Sequence, residues 1–234
     1  MHNITELPPW ERLLKKMTWA QLGDIRGKRI LDFGSGQGIT ANHYAQDNDV
    51  VAIEPSKEML QNRWADYPYM QITGSLSPLI GVEDHSFDMI ICHNVLEYVD
   101  NKETYLKELA RVVKPGGYLS LVKHNRPGRV MQMAVLLNDF EMANTLLDGG
   151  NGKTANFGDI RYYEDQDALQ WLPGFTCESI WGARTFWDLQ QKQECHTDAQ
   201  WQRKMLALED RVSTLPQYQN IAFFHHLLMK KADA

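Results

Sequence analysis

Ile30-Leu31-Asp32-Phe33-Gly34-Ser35-Gly36-Gln37-Gly38 is the stretch that decides the fold. An apolar run tipped by an acid reads as a buried strand, and three glycines at alternating positions read as a sharp turn. Without a Cβ, such a turn brings backbone close to a ligand. A second apolar run, Val50-Val51-Ala52-Ile53, ends in Glu54, 16 residues after Gly38. Strand, glycine turn, helix and second acid-tipped strand form the front half of a nucleotide-binding α/β domain.

The residue types then choose among nucleotides. A dinucleotide site seats a pyrophosphate on a helix N-terminus. Asp32, placed before the first glycine, would repel that group and suits a cationic ligand instead. S-adenosylmethionine has no phosphate; it offers an ammonium, a carboxylate, a sulfonium and a ribose diol. Glu54 would accept hydrogen bonds from both ribose hydroxyls, because a carboxylate matches a vicinal diol. Singly, the glycines are only a turn and the acids only solvated strand ends; together, order and spacing favour this cofactor.

Working outward, strands are expected near 29–33, 50–54, 69–73, 87–92 and 117–122, and helices near 38–46, 56–65 and 102–113. Ser56, after Pro55 and before Glu58, is a candidate N-cap. Lys114-Pro115-Gly116-Gly117 ends one helix and starts a strand. Such alternation builds a doubly wound, mostly parallel seven-stranded sheet. A helix from Trp10 to Leu22 precedes it. Beyond residue 123 we expect a helix over 127–147, a loop from Asp148 to Lys153, a helix at 165–172, a strand from Phe175 to Phe186, a helix at 198–213 and a strand from Asn220 to Lys230. The economical reading is one domain over 1–234, with a cofactor half at 28–125 and substrate or lid elements at 1–27, 126–165 and 187–216. Helical insertions thus follow strand five and precede the last strand.

Further pocket residues follow from position. Ser75 and Leu76, after the third strand, are placed to meet an adenine edge and face, with an ordinary loop as the alternative. His93 and Asn94 stand at the C-terminal tip of the fourth strand, where open α/β sheets bind ligands. Ser35, Pro55 and Met59 complete the expected cofactor-binding set of Asp32, Gly34, Gly36, Gly38, Glu54, Ser75, Leu76 and His93.

Composition limits the remaining classes. The chain has 234 residues, 43% hydrophobic and 23% charged. No apolar run approaches the ~20 residues that span a membrane. The start, Met-His-Asn-Ile-Thr-Glu-Leu-Pro-Pro-Trp, lacks a signal peptide's basic and apolar regions. Cys92, Cys177 and Cys195 have no metal-like spacing; reduced thiols, a cytoplasmic location and no metal are expected. The net charge of −6 argues against a large nucleic-acid footprint but leaves room for a local basic groove. Four of the seven tryptophans follow residue 170, as core and lid packing or as a wall for a planar substrate.

With these residues in view, the chain resembles the class I S-adenosylmethionine-dependent methyltransferases over about 28–125. The likeness rests on 31–38, Glu54, Phe87-Asp88-Met89-Ile90 and Lys114-Pro115-Gly116-Gly117. A narrower likeness, to bacterial tRNA 5-carboxymethoxyuridine methyltransferases, rests on 93–99, Leu119-Ser120-Leu121-Val122, Asn125-Arg126-Pro127-Gly128 with Met131, Asn138 and Phe140, and Gly182-Ala183-Arg184-Thr185-Phe186. Pro216, Tyr218 and His226 also match. That family methylates the carboxylate of a modified wobble uridine. The resemblance implies that Asn125 and Arg184 lie near substrate or cofactor. The chain departs from it in a shorter start, in 148–154 where a basic run is usual, and in Phe223 where a basic residue is expected. These departures bear on tRNA binding rather than methyl transfer.

Methyl transfer from a sulfonium is a direct displacement that needs an aligned nucleophile and excluded water. A carboxylate acceptor needs no base, and His93, Asn125 and Arg184 are the expected catalytic residues that would cradle it. A hydroxyl or amine acceptor makes His93 or His124 a candidate base. A surface ion pair is the other reading of Arg184. Two acceptors therefore stay open, a tRNA carboxylate and a small metabolite. An NAD oxidoreductase is disfavoured by the glycine spacing, and a non-catalytic cofactor sensor would lack room for an acceptor.

Overall fold

Apolar runs bounded by turn residues become the strands. The computed structural model describes residues 1–154 and 158–233; residues 155–157, inside the expected 126–165 segment, and residue 234 lie outside that description. Its strands are β1 (Arg29–Phe33), β2 (Asp49–Glu54), β3 (Met70–Thr73), β4 (Phe87–His93), β5 (Val113–His124), β6 (Gly152–Thr154), β7 (Gly158–Ile160), β8 (Phe175–Ala183) and β9 (Phe224–Lys231). Seven form one sheet in the order β3-β2-β1-β4-β5-β9-β8. β9 runs antiparallel to β5 and β8, and the β1 to β5 pairings are parallel. The helices are α1 (Pro9–Leu22), α2 (Ile39–Tyr44), α3 (Lys57–Gln61), α4 (Ser77–Ile80), α5 (Lys102–Val112), α6 (Arg126–Met131), α7 (Phe140–Leu147), α8 (Asp165–Trp171), α9 (Ala199–Val212) and α10 (Pro216–Gln219).

Alternation along the strands sorts the side chains into two layers. Leu31, Phe33, Ile53, Ile90, Leu119 and Leu121 pack with Leu106 and Leu109 of α5 and Ala168 of α8. Ile30, Ala52, Met89 and Ile91 face the other way, towards Ala41 and Tyr44 of α2 and Trp19 and Leu22 of α1. Ile30 and Leu31 are fully buried, each contributing about 2 kcal/mol. A one-residue slip of β1 would exchange these faces, so the core fixes the face on which Asp32 stands.

Four expected boundaries are corrected. The helix over 127–147 is interrupted: α6 continues into a π-helical turn at Gln132–Leu136, Asn138 takes a left-handed φ of 51°, and Asp139 caps α7 through Met142 N. The expected loop through Lys153 instead enters β6, which pairs with β7. The strand from Phe175 stops at Ala183 because Arg184 turns left-handed, at φ 60°. The final strand begins at Phe224, four residues late, because Pro216 opens α10 just before it.

Candidate functional site

The turn after β1 carries glycines in the left-handed region, with φ of 75° at Gly34, 56° at Gly36 and 71° at Gly38. Gly34 N and Ser35 N both donate to Ile53 O, at 2.8 and 3.0 Å. A Cβ would collide with Val95 at Gly34 and with the Tyr69 hydroxyl at Gly38, whereas the space at Gly36 is open. The turn is thereby stapled to β2 at one end and open to a ligand in its middle.

Glu54 joins the two acid-tipped strands. Its Oε2 accepts from Gly36 N at 2.8 Å and its Oε1 from Ser56 N at 2.8 Å. Each oxygen keeps a second lone pair, which leaves a hydroxyl pair something to donate to. Ser56 caps α3 through Met59 N, as its sequence position suggested. Pro55 is exposed and Met59 half-buried. Ser75 Oγ pairs with the Tyr105 hydroxyl at 2.8 Å, and Leu76 packs on the core.

Asp32 is 4% exposed, and its Oδ2 has no partner among the described residues. Burial pushes its carboxyl up to about 6 in spite of the nearby Lys15 ammonium. Lys15 reaches in from α1 and donates to Thr40 Oγ1 at 2.7 Å. Ser35 Oγ and Asn94 Oδ1 are also buried without a partner among the described residues. An acid with one oxygen unpartnered among the described residues, two further such oxygens, a glycine with open space and a lysine form a set that fits a ligand carrying both an ammonium and a carboxylate. A cavity of about 780 Å³ lies elsewhere, at the opposite edge of the sheet, lined by Gln21, Lys28, Met89, Lys114, Tyr118 and Trp181 among others.

His93 ends β4 half-buried, and Asn94 after it takes a left-handed φ of 56°. His93 Nε2 lies 2.7 Å from Ser120 Oγ. Burial, together with His226 and Lys15, holds the His93 imidazole well below its ordinary value. His124 is buried between Phe223 and Phe224 and pushed down to about 3, chiefly by burial.

Asn125 and Arg184 are both buried. Asn125 Nδ2 donates to Asn220 O at 3.0 Å and Ala222 O at 2.9 Å, which ties the end of β5 to the approach of β9. Arg184 makes a two-pronged ion pair with Asp188, Nε to Oδ2 at 2.8 Å, and lies 5.0 Å from the Phe223 ring and 5.4 Å from Trp10. The pair is interior rather than on the surface. The aromatic Phe223, read as a lost basic residue, stacks against Arg129 and Arg184.

Sequence reasoning passed over Lys15, Glu97, Glu209 and the Ser120–His226 contact. Lys15 belongs to a helix separate from the glycine turn, and only docking of α1 puts it beside Asp32. Glu97 is fully buried, accepts from His124 N, and is pushed up to about 7 by burial. Its one available signal was an acid inside the apolar run Val95-Leu96-Glu97-Tyr98-Val99.

Residues 31–121 match the family model described as a methyltransferase domain. The chain is 32% identical over 123 residues to the ubiquinone biosynthesis O-methyltransferase of Alkalilimnicola ehrlichii, a match covering 49% of each protein. It is 28% identical over 170 residues to the demethylmenaquinone methyltransferase of Renibacterium salmoninarum, covering 70% of each. The chain thus spans about half the length of the first of these relatives. Its fold is that of an S-adenosylmethionine-dependent methyltransferase from Mesorhizobium loti, with a TM-score of 0.60 at 18% identity over 98% of this chain and 100% of that one.

Proposed function

We propose that the chain is an S-adenosylmethionine-dependent methyltransferase, with 31–121 as its methyltransferase domain, and that it methylates a small organic acceptor held at the carboxyl edge of β4 and β5. The observation that carries this reading is the buried, unpartnered Asp32 oxygen beside a turn of left-handed glycines. The support for a small acceptor is the naming of the relatives for ubiquinone biosynthesis and for demethylmenaquinone.

Bound S-adenosylmethionine supplies a methyl group already activated by positive sulfur. Asp32 holds the ammonium, Lys15 the carboxylate and Glu54 the ribose hydroxyls, while Gly36 lets the backbone approach. Ser35, Pro55, Met59, Ser75 and Leu76 complete the lining. His93, at the strand tip, meets the acceptor, and Asn125 and Arg184 shape its far wall. On this reading 1–234 is one domain that works in the cytoplasm. Among the described residues no helix is long and apolar enough to cross a membrane.

A second reading, transfer to the carboxylate of a modified wobble uridine in tRNA, is favoured by the cations around α6. Arg126 Nε and Arg129 Nε are buried without partners among the described residues, and Arg184 lies against the same Phe223 ring as Arg129.

Thermal shifts followed by methyl labelling test both. S-adenosylhomocysteine is expected to raise the melting temperature and NAD to leave it unchanged. Labelled methyl offered to small-molecule and tRNA fractions from cells lacking the protein is expected in the small-molecule fraction. Label in tRNA would establish the second reading, and stabilisation by NAD alone would end both.

A further inference from the structure

Three neighbouring strands each place one polar side chain on the face that α1 covers: His93 on β4, Ser120 on β5 and His226 on β9. Ser120 and His226 are fully buried. They form a continuous hydrogen-bonded line. His93 Nε2 lies 2.7 Å from Ser120 Oγ, Ser120 Oγ 2.8 Å from His226 Nε2, and His226 Nδ1 2.7 Å from Gln21 Oε1 in the last turn of α1. Gln21 is the outer end of this line, on the wall of the 780 Å³ cavity at the far edge of the sheet.

The chemistry of each atom gives the line a direction. An amide oxygen only accepts, so Nδ1 of His226 carries the hydrogen. Burial pushes the His226 imidazole down to about 3, which keeps the ring neutral. Its Nε2 is therefore a lone pair and takes the single hydrogen of Ser120. Ser120 Oγ, having donated, accepts from His93, so Nε2 of His93 carries the hydrogen. The remaining nitrogen, Nδ1 of His93, is a lone pair with no hydrogen-bond partner among the described residues.

We propose that Gln21, His226 and Ser120 are positioning residues that hold His93 in the Nε2–H tautomer, so that its Nδ1 takes the proton of a hydroxyl or N–H acceptor. This rests on the methyltransferase reading and narrows its substrate class to acceptors with a proton to lose. In the reaction the acceptor's O–H or N–H bond breaks, its proton passes to Nδ1, and its electron pair forms the new bond to the methyl carbon. The carbon–sulfur pair stays on sulfur, and Nδ1 returns the proton to water when product leaves. Lys15, the other charged group that acts on His93, disfavours a lasting imidazolium and so promotes that return. A carboxylate acceptor has no proton for Nδ1 and would meet a lone pair where it needs a donor.

Imidazole nitrogen spectra of the ¹⁵N-labelled chain with S-adenosylhomocysteine read the tautomers directly. The expected result is an Nδ1–H pattern for His226 and an Nε2–H pattern for His93. Gln21→Glu keeps an acceptor and retains both patterns. Gln21→Met and Ser120→Ala each lose the single-tautomer pattern of His93, and Ser120→Thr restores it. An Nδ1–H pattern for His93 in the unaltered chain, a mixture there, or a pattern unmoved by both Gln21→Met and Ser120→Ala would overturn the proposal. Calorimetry with S-adenosylhomocysteine separates the two layers: failure of the unaltered chain to bind removes the methyltransferase reading, whereas intact binding with the wrong tautomer removes only this inference.

Discussion

Asp32 carries two opposed pressures. Burial raises its carboxyl to about 6, and the Lys15 cation pulls it down. A cationic ligand binds the ionised form, so the complex holds Asp32 at a lower pKa than the free protein. Affinity for S-adenosylhomocysteine is therefore expected to be level above about pH 6 and to fall below it, by roughly tenfold per pH unit at most. Lys15→Met removes the opposing cation and is expected to move that midpoint upward. Asp32→Ala is expected to weaken binding by more than tenfold, a loss above ~1.4 kcal/mol, with no midpoint near pH 6. Calorimetry across pH reads all three, and a flat profile in the unaltered chain would exclude Asp32 from the site. The acid itself was legible in the sequence, because an aspartate amid apolar β-formers and glycines is out of place there. Its partner was not, because Lys15 lies 17 residues earlier on a separate helix.

The segment between β4 and α5 stores a different tension. Glu97 accepts from His124 N with one oxygen and has no partner for the other among the described residues. Burial raises its carboxyl to about 7 from an ordinary 4.5, against the opposing hydrogen bond from His124. A raised folded-state pKa makes the unfolded chain the more easily ionised one. Stability is thus lost as pH rises from about 4.5 to 7, and the loss is complete above that window. Glu97→Gln keeps the acceptor and removes the charge. The variant is expected to be more stable than the parent at pH 8, by on the order of 2–3 kcal/mol, and no more stable at pH 4. Urea unfolding at both pH values checks this, and an equal difference at each would sink it. The interrupted helix after β5 has a comparable lesson. Met- and Leu-rich composition alone reads as continuous helix, whereas the cap at Asp139 and the left-handed Asn138 emerge once Met133, Ala143 and Leu146 converge on one small core.

Across the molecule, the insertion before the last strand is secured by a buried acid. Glu209 of α9 is fully buried and accepts from Thr185 N, Phe186 N and Trp187 N at 2.7, 2.8 and 2.9 Å. These donors belong to the turn that holds the Arg184–Asp188 pair. Glu209→Ala would leave three enclosed amides unsatisfied and is expected to cost about 3 kcal/mol, with the Trp187 environment altered first. Denaturation followed by tryptophan fluorescence measures it, and a loss within ordinary surface-mutation size would show the turn to be held by other contacts.

What the amino-acid order determined by itself is local: the strands of the main sheet, from apolar runs; the turn, from glycines that tolerate positive φ; the expected character of the cofactor, from acids at two strand tips. Tertiary structure alone decided which distant polar groups share a face. Gln21 and His226 are separated by 205 positions yet bond at 2.7 Å, because β9 returns antiparallel beside β5 under α1. Pairing of this kind depends on strand order and register, which period-two and period-3.6 patterns do not encode. It is that packing, rather than any motif, that sets His93, Ser120, His226 and Gln21 in one hydrogen-bonded line.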